Sequence, residues 1–203
     1  MSVSTAAREP DAVGSWKDTG ERRLLVLAPS YPFPPRDGVQ LRLCNLLRRL
    51  GEDVRITLVV PDRVERRVEE VVETPFRGKC VRIPHQPAVT GWRASSLLQV
   101  LRPEASMIWK FYSPEFAREV RTQAASVNAL LAVGLQMGQY LSEVPAGVPT
   151  ALDNYNVESR ILSRMAETRP GLKRFFWLGE AAKLRRTERR LMERAGTVFA
   201  ISE

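Results

Sequence analysis

Short apolar runs recur along this chain, separated by stretches of helical periodicity, and that alternation constrains the fold more than any other feature. Residues 23–28, 54–60, 80–83, 128–133, 150–153 and 198–201 read as strands, being rich in Val, Ile, Leu and Phe. The run at 54–60 is nearly continuous in apolar residues, the pattern of a strand covered on both faces. Helical spacing fills the intervals. After the first strand, Val39, Leu43, Leu46, Leu47 and Leu50 repeat on one helix face, and Gly51 is expected to end that helix in the left-handed region. Further helices are expected at 114–126, just after Gly134, at 157–168 and at 172–195, with a charged helix from the Pro61-Asp62 turn to about Glu73. Strands and helices in this order indicate an α/β fold with a Rossmann-like, doubly wound parallel sheet.

The 203 residues, 44% of them hydrophobic, suffice for one core. Residues 1–20 are rich in small and polar types and lack the apolar centre of a signal peptide, so they read as a disordered leader, with the folded domain at 21–203. No run reaches the roughly 18 apolar residues of a membrane span. Two cysteines, Cys44 and Cys80, make neither a disulfide framework nor a metal spacing, which fits free thiols in a cytoplasmic protein. From 84 to 113 the pattern is least regular. A helix at 91–101 is conceivable there, and Trp92, Trp109, Phe111 and Tyr112 are either core beneath a long loop or a binding platform.

The net charge of +8 is concentrated: the segment 169–194 holds nine Lys or Arg against Glu180, Glu188 and Glu193. Without a recognisable reading module, nucleic acid is not expected as a partner. The helix 172–195 presents Trp177, Ala181, Leu184, Leu191 and Ala195 on one face, interrupted by Glu188, and that face either docks on the sheet or lies on an anionic membrane.

Three stretches fall at carboxyl ends of strands, where ligands bind in open α/β sheets. In the first, a proline-rich loop leads to Arg36-Asp37-Gly38-Val39, where Gly38 admits close backbone approach and Arg42 lies one turn along. This is either a phosphate cradle or a plain loop with solvated arginines. The second, Asp153-Asn154-Tyr155-Asn156-Val157-Glu158-Ser159, is denser in polar groups than a helix cap requires, although Asn156 alone could be an ordinary N-cap. The third, Gly134-Leu135-Gln136-Met137-Gly138-Gln139-Tyr140, adds amides and a phenol. His85, the one histidine, reads as a surface residue of the loop after the third strand.

Taken with the stretch Glu180-Ala181-Ala182-Lys183-Leu184-Arg185-Arg186 and the closing residues 198–203, these motifs resemble, in order and spacing from about 23 to 203, the amino-terminal domain of family 4 glycosyltransferases. The resemblance implies a retaining enzyme of the GT-B fold, in which two Rossmann-like domains face a cleft. This chain would be the acceptor-side domain, and its carboxyl-terminal, donor-binding partner domain is expected to be absent. The expected reaction moves a sugar from a nucleotide-sugar to a glycan, lipid-linked or small-molecule acceptor. No cofactor and no obligatory metal are implied. Gly38 and Arg42 would meet the donor phosphates, and Gln136, Asp153, Asn156 and Glu158 would line the acceptor side; no catalytic residue is assigned. Two positions depart from the family pattern. Tyr155 stands where the family usually has His, which removes imidazole acid-base chemistry there, and Val39 stands in place of the second glycine of the loop. Alone, the chain is expected to be inactive, and the alternative is a non-catalytic acceptor-binding or partner domain, with peripheral contact to the inner membrane face through residues 172–195.

Overall fold

The fold was obtained as a computed structural model that describes residues 21–73, 75–85 and 102–200. A single seven-stranded sheet forms its centre, in the order β3-β4-β2-β1-β5-β6-β7. The strands are β1 (Arg23–Leu27), β2 (Arg55–Asp62), β3 (Val68–Val72), β4 (Gly78–Pro84), β5 (Ala129–Val133), β6 (Thr150–Asn154) and β7 (Thr197–Ala200). All neighbours pair in parallel except β3, which runs antiparallel to β4 at one edge.

The helices are α1 (Gly38–Leu50), the short α2 (Ser106–Trp109), α3 (Pro114–Ala124), the single turn α4 (Leu135–Gly138), α5 (Glu158–Glu167) and the long α6 (Leu172–Arg194). Strand alternation divides the core between the two faces of the sheet. Leu25, Leu27, Val59, Val81, Leu130 and Leu152 pack with Phe116 and Val120 of α3 and Leu184 and Leu191 of α6. Val26, Ile56, Leu58, Val60, Cys80 and Leu131 pack on the other face with Leu43 and Leu47 of α1. Each strand of the centre therefore reads as apolar throughout because both of its sides are covered.

Three expectations need correction. The segment after β2 is strand β3 and not a helix. Its carboxylates face basic partners across the edge, with Glu69 bonded to Lys79 at 3.1 Å and Glu70 paired to Arg82, so cross-strand charge pairing outweighs the helical look of the sequence. Arg67, just before β3, makes a bidentate pair with Glu119 of α3, at 2.7 and 2.8 Å. Gly51 ends α1 in the right-handed region, at φ −67°. Glycine is required there by space, since a Cβ would lie 2.7 Å from that of Phe76. The α5 helix starts one residue later than an Asn156 cap would place it, and Val157 at the cap position contributes no side-chain bond.

The amide groups at that helix start are satisfied from α6 instead. Glu188, buried on α6, accepts from the Ser159 amide at 3.0 Å and from the Ser159 hydroxyl. Two turns earlier, the equally buried Glu180 accepts from the Ser106 amide at 2.6 Å and from Lys183 at 2.9 Å. The acids that interrupt the apolar face of α6 therefore act as caps for α2 and α5, supplied from a distant part of the chain. Ala181, Leu184 and Leu191 are buried beside them, so this face docks on the sheet.

Both cysteines are free and buried, Cys44 with its thiol directed at the Pro32 carbonyl. Phe111 packs on the core and Tyr112 stacks on the buried Tyr140, whose hydroxyl donates to the Phe111 carbonyl at 2.6 Å. Those two aromatics are core and core rim, while Trp109 lies beneath the guanidinium of Arg102. His85 is half-buried, its Nε2 2.9 Å from the Lys110 carbonyl, and so ties the end of β4 to α2. The leader at 1–20, the helix at 91–101 and the strand residue Ile201 lie outside the described residues.

Candidate functional site at the sheet's switch point

The chain leaves β1 towards β2 on one side, and β5 later joins β1 on the other, so the order of strands reverses between β1 and β5. Loops on either side of such a reversal diverge and leave a crevice at the carboxyl ends of the strands. Here the crevice is bounded by the β1–α1 loop, by the β5–α4 turn and by the end of β6.

The β1–α1 loop is fixed by Gln40, which the sequence reading did not single out. Its amide nitrogen donates to Ser30 Oγ at 3.2 Å, its Oε1 accepts from the Arg36 amide at 2.7 Å, and its own amide is capped by Asp37 Oδ1 at 2.8 Å. Four prolines within 29–35 leave few backbone donors for internal bonds, so the side chain supplies the closure. Gly38, the first residue of α1, is exposed, and a Cβ there would meet nothing within 4 Å. The fold itself does not demand glycine at this position.

Arg42, one turn into α1, reaches across to β6 and holds Asp153 bidentately, Nη2–Oδ1 at 2.7 Å and Nε–Oδ2 at 3.2 Å. The Asp153 side chain is 4% exposed and that of Arg42 41%, so a buried carboxylate is neutralised by a half-solvated guanidinium. Sequence reading had placed these two groups on opposite sides of the site; the structure joins them.

Gly134 closes β5 with φ +78°, and its amide donates to the Asp153 carbonyl at 2.9 Å. A Cβ there would lie 2.7 Å from Gln136 Oε1 and 3.0 Å from the Tyr155 hydroxyl, so the missing side chain is what lets these two polar groups converge. Gln136 is 8% exposed and its Oε1 has no hydrogen-bond partner. Its unsatisfied carbonyl is thus enclosed beside the phenol. Burial, with the carboxylates of Glu158, Asp153 and Asp37 around it, pushes the Tyr155 hydroxyl up to about 12, so it stays protonated and neutral throughout the physiological range.

Asn156 and Glu158 sit slightly farther out, joined by a 3.2 Å bond from Asn156 Nδ2 to Glu158 Oε1. Burial raises the Glu158 carboxyl above its ordinary value, opposed by the Asn156 bond and reinforced by Glu188. On β7, Phe199 is in register with Asp153 and half-exposed, which puts an aromatic ring on the same sheet face. Its position follows from pairing register, which the sequence alone does not reveal.

The site's chemistry is weighted towards acceptors. Asp37, Asp153, Glu158, Gln136 Oε1 and the phenol oxygen accept, while the donors are the phenol O–H, the side-chain amide nitrogens of Gln136 and Asn156, the α1 amino-terminal amides and the free edge of Arg42. Among the described residues no group of three or more His, Cys, Asp or Glu is placed to hold a metal ion. Two cavities among the described residues, of about 250 and 400 Å³, lie at the opposite, amino end of the strands, around Gly78 and Arg55, away from these groups.

No family model and no curated protein matches this chain. Among solved structures it is similar to the crystal structure of LpCGTa in complex with UDP, at 12% identity and a TM-score of 0.45, over 90% of this chain and 47% of that one. The chain spans about half the length of that protein. No helix among the described residues is long and apolar enough to cross a membrane.

Proposed function

We propose that this chain is the acceptor-side domain of a retaining family 4 glycosyltransferase, which passes a sugar from a nucleotide-sugar to a hydroxyl-bearing acceptor such as a glycan. The observation that carries this reading is the unsatisfied Gln136 carbonyl, buried beside Tyr155 at the switch point. A buried amide oxygen without a donor costs about 1–3 kcal/mol, and a ligand rich in hydroxyl groups relieves it. Asp153, Asn156 and Glu158 offer further acceptors of the kind that read sugar hydroxyls. Gly38 and the outer edge of Arg42 are assigned to the donor diphosphate, where unpaired helix amides and a guanidinium suit negative charge. The motif resemblance set out above supports the same assignment and supplies the reaction class. With Tyr155 neutral and in the usual His position, the phenol's role is to donate a hydrogen bond to the sugar.

Replacing Gln136 by Met tests the reading, because it keeps the volume and removes the orphan acceptor. The variant should be as stable as the parent or more so, while saturation-transfer NMR with oligosaccharides shows loss of the sugar signals that the parent gives. Equal sugar contact by both proteins would refute the assignment.

A further inference from the structure

With one face of α6 committed to the core, its outward face is left to solvent, and that face is divided along its length. In the first turns it carries Leu172, Phe175 and Leu178, exposed to 75%, 70% and 41%, followed by Ala182. The next two turns carry Arg185, Arg186, Arg189 and Arg190, all exposed. At 100° per residue these eight side chains fall within about 140° of one another, opposite the buried Leu184, Glu188 and Leu191. Among the described residues none of the four arginines joins an ion pair; the α6 cation that does so is Lys183, on Glu180. Glu193 is the one acid on this outward face, beyond the last arginine.

Large apolar side chains exposed to this extent at one place mark an interaction surface. The neighbouring arginines specify what it meets. Four unpaired guanidinium groups on two successive turns match a dense array of phosphates, and the apolar turns beside them match acyl chains a few ångströms deeper. A nucleic acid would satisfy the arginines and leave Leu172, Phe175 and Leu178 in water. We propose that the outward face of α6 docks this domain on an anionic phospholipid surface, with Leu172, Phe175 and Leu178 inserted at the headgroup boundary and Arg185, Arg186, Arg189 and Arg190 on the lipid phosphates. This surface is distinct from the face of Trp177, Ala181, Leu184 and Leu191, and it is separate from the switch-point crevice. Its test is therefore independent of the proposed transferase reading.

The experiment is co-sedimentation of the purified chain with vesicles of phosphatidylcholine alone or with 30 mol% phosphatidylglycerol, at 0.05 and 0.15 M salt. Two variants probe the two halves: Phe175→Ser with Leu178→Ser, and Arg→Gln at 185, 186, 189 and 190. A control removes four charges elsewhere, at the exposed Arg22, Arg48, Arg66 and Arg118, and circular dichroism verifies that each protein is folded. Binding should require the anionic lipid, weaken by at least about tenfold in the serine variant and by roughly a hundredfold or more in the glutamine variant, and change far less in the control. The same variants should retain whatever sugar binding the parent has. The proposal is overturned if anionic vesicles leave the parent in solution. It is equally overturned if the control loses as much affinity as the α6 glutamine variant, which would mean net charge alone, or if the serine variant binds like the parent. Capture by single-stranded RNA or polyglutamate with no vesicle binding would assign the face to a different partner and also overturn it.

Discussion

The Arg42–Asp153 pair should behave asymmetrically when it is cut. Removing Arg42 leaves a carboxylate that is 4% exposed without its charge partner, whereas removing the Asp153 charge leaves a guanidinium already 41% exposed and easily solvated. Breaking a fully buried pair costs about 3–5 kcal/mol, and an exposed one about 0–1 kcal/mol. With one partner in each environment, Arg42→Ala should cost about 2 kcal/mol and Asp153→Asn about 1 kcal/mol, since the amide keeps an oxygen for the guanidinium. For a domain of this size, 2 kcal/mol corresponds to a fall in melting temperature of about 4–8 °C. Urea denaturation of both single variants and the double variant, with unchanged slope, measures the costs and their coupling, expected at about 1 kcal/mol. Equal costs for the two singles, or full additivity in the double, would show that the bidentate contact does not tie α1 to β6.

Gly134→Ala should destabilise by about 2 kcal/mol or more, because it puts a Cβ at φ +78° and against Gln136 Oε1 and the Tyr155 hydroxyl; calorimetry checks this, and a neutral result would mean the turn relaxes freely. Glu158→Gln should raise stability at neutral pH. A carboxyl raised in the folded state binds protons more tightly there than when unfolded, so stability falls as pH climbs from the ordinary carboxylate range through the folded value, and the amide abolishes that loss. A melting temperature that is lower for the amide at pH 7 and equal at pH 4 would reverse the sign and contradict the burial argument. Cys80, pushed up to about 12 by burial, and Cys44, raised for the same reason, should resist a thiol reagent at pH 8 in the native protein and react at once in urea.

Elements whose pattern reflects burial alone were legible in the sequence. The strands β1, β2 and β5 announce themselves as apolar runs because they are covered on both faces, and α1 shows its amphipathic spacing. The segment from 61 to 73 misled because valines at 64, 68, 71 and 72 suit a helix face as well as an edge strand. What decides is pairing with Lys79 and Arg82, ten residues or more away. At the site, the three polar stretches were found by their place at strand ends, and the fold brings Arg42 to Asp153 and Gln136 to Tyr155. Their distances depend on register, and the roles of Gln40 and Phe199 depend on loop closure and strand pairing, none of which a local pattern encodes. Asn156 was open to a cap role as well as a site role because its type and position suit both. The actual acceptor, Glu188, is 32 positions later in the chain and carries no local signal.

The two buried glutamates of α6 have a further consequence for how the molecule opens. Glu188 is bonded to the amide and hydroxyl of Ser159, 29 residues away, and Glu180, besides its contact with Lys183, to the amide of Ser106, 74 residues away. Loosening the start of α5 strands Glu188 inside the protein, and loosening the α2 turn leaves the buried Glu180 with Lys183 alone, so neither segment can fray by itself at low cost. Amide hydrogen exchange should therefore show Ser106 and Ser159 protected to nearly the same free energy as the middle of α6, opening in one event with it. The rim of the candidate site at Glu158 inherits that resistance, so the crevice is set by a helix behind the sheet as much as by the loops around it.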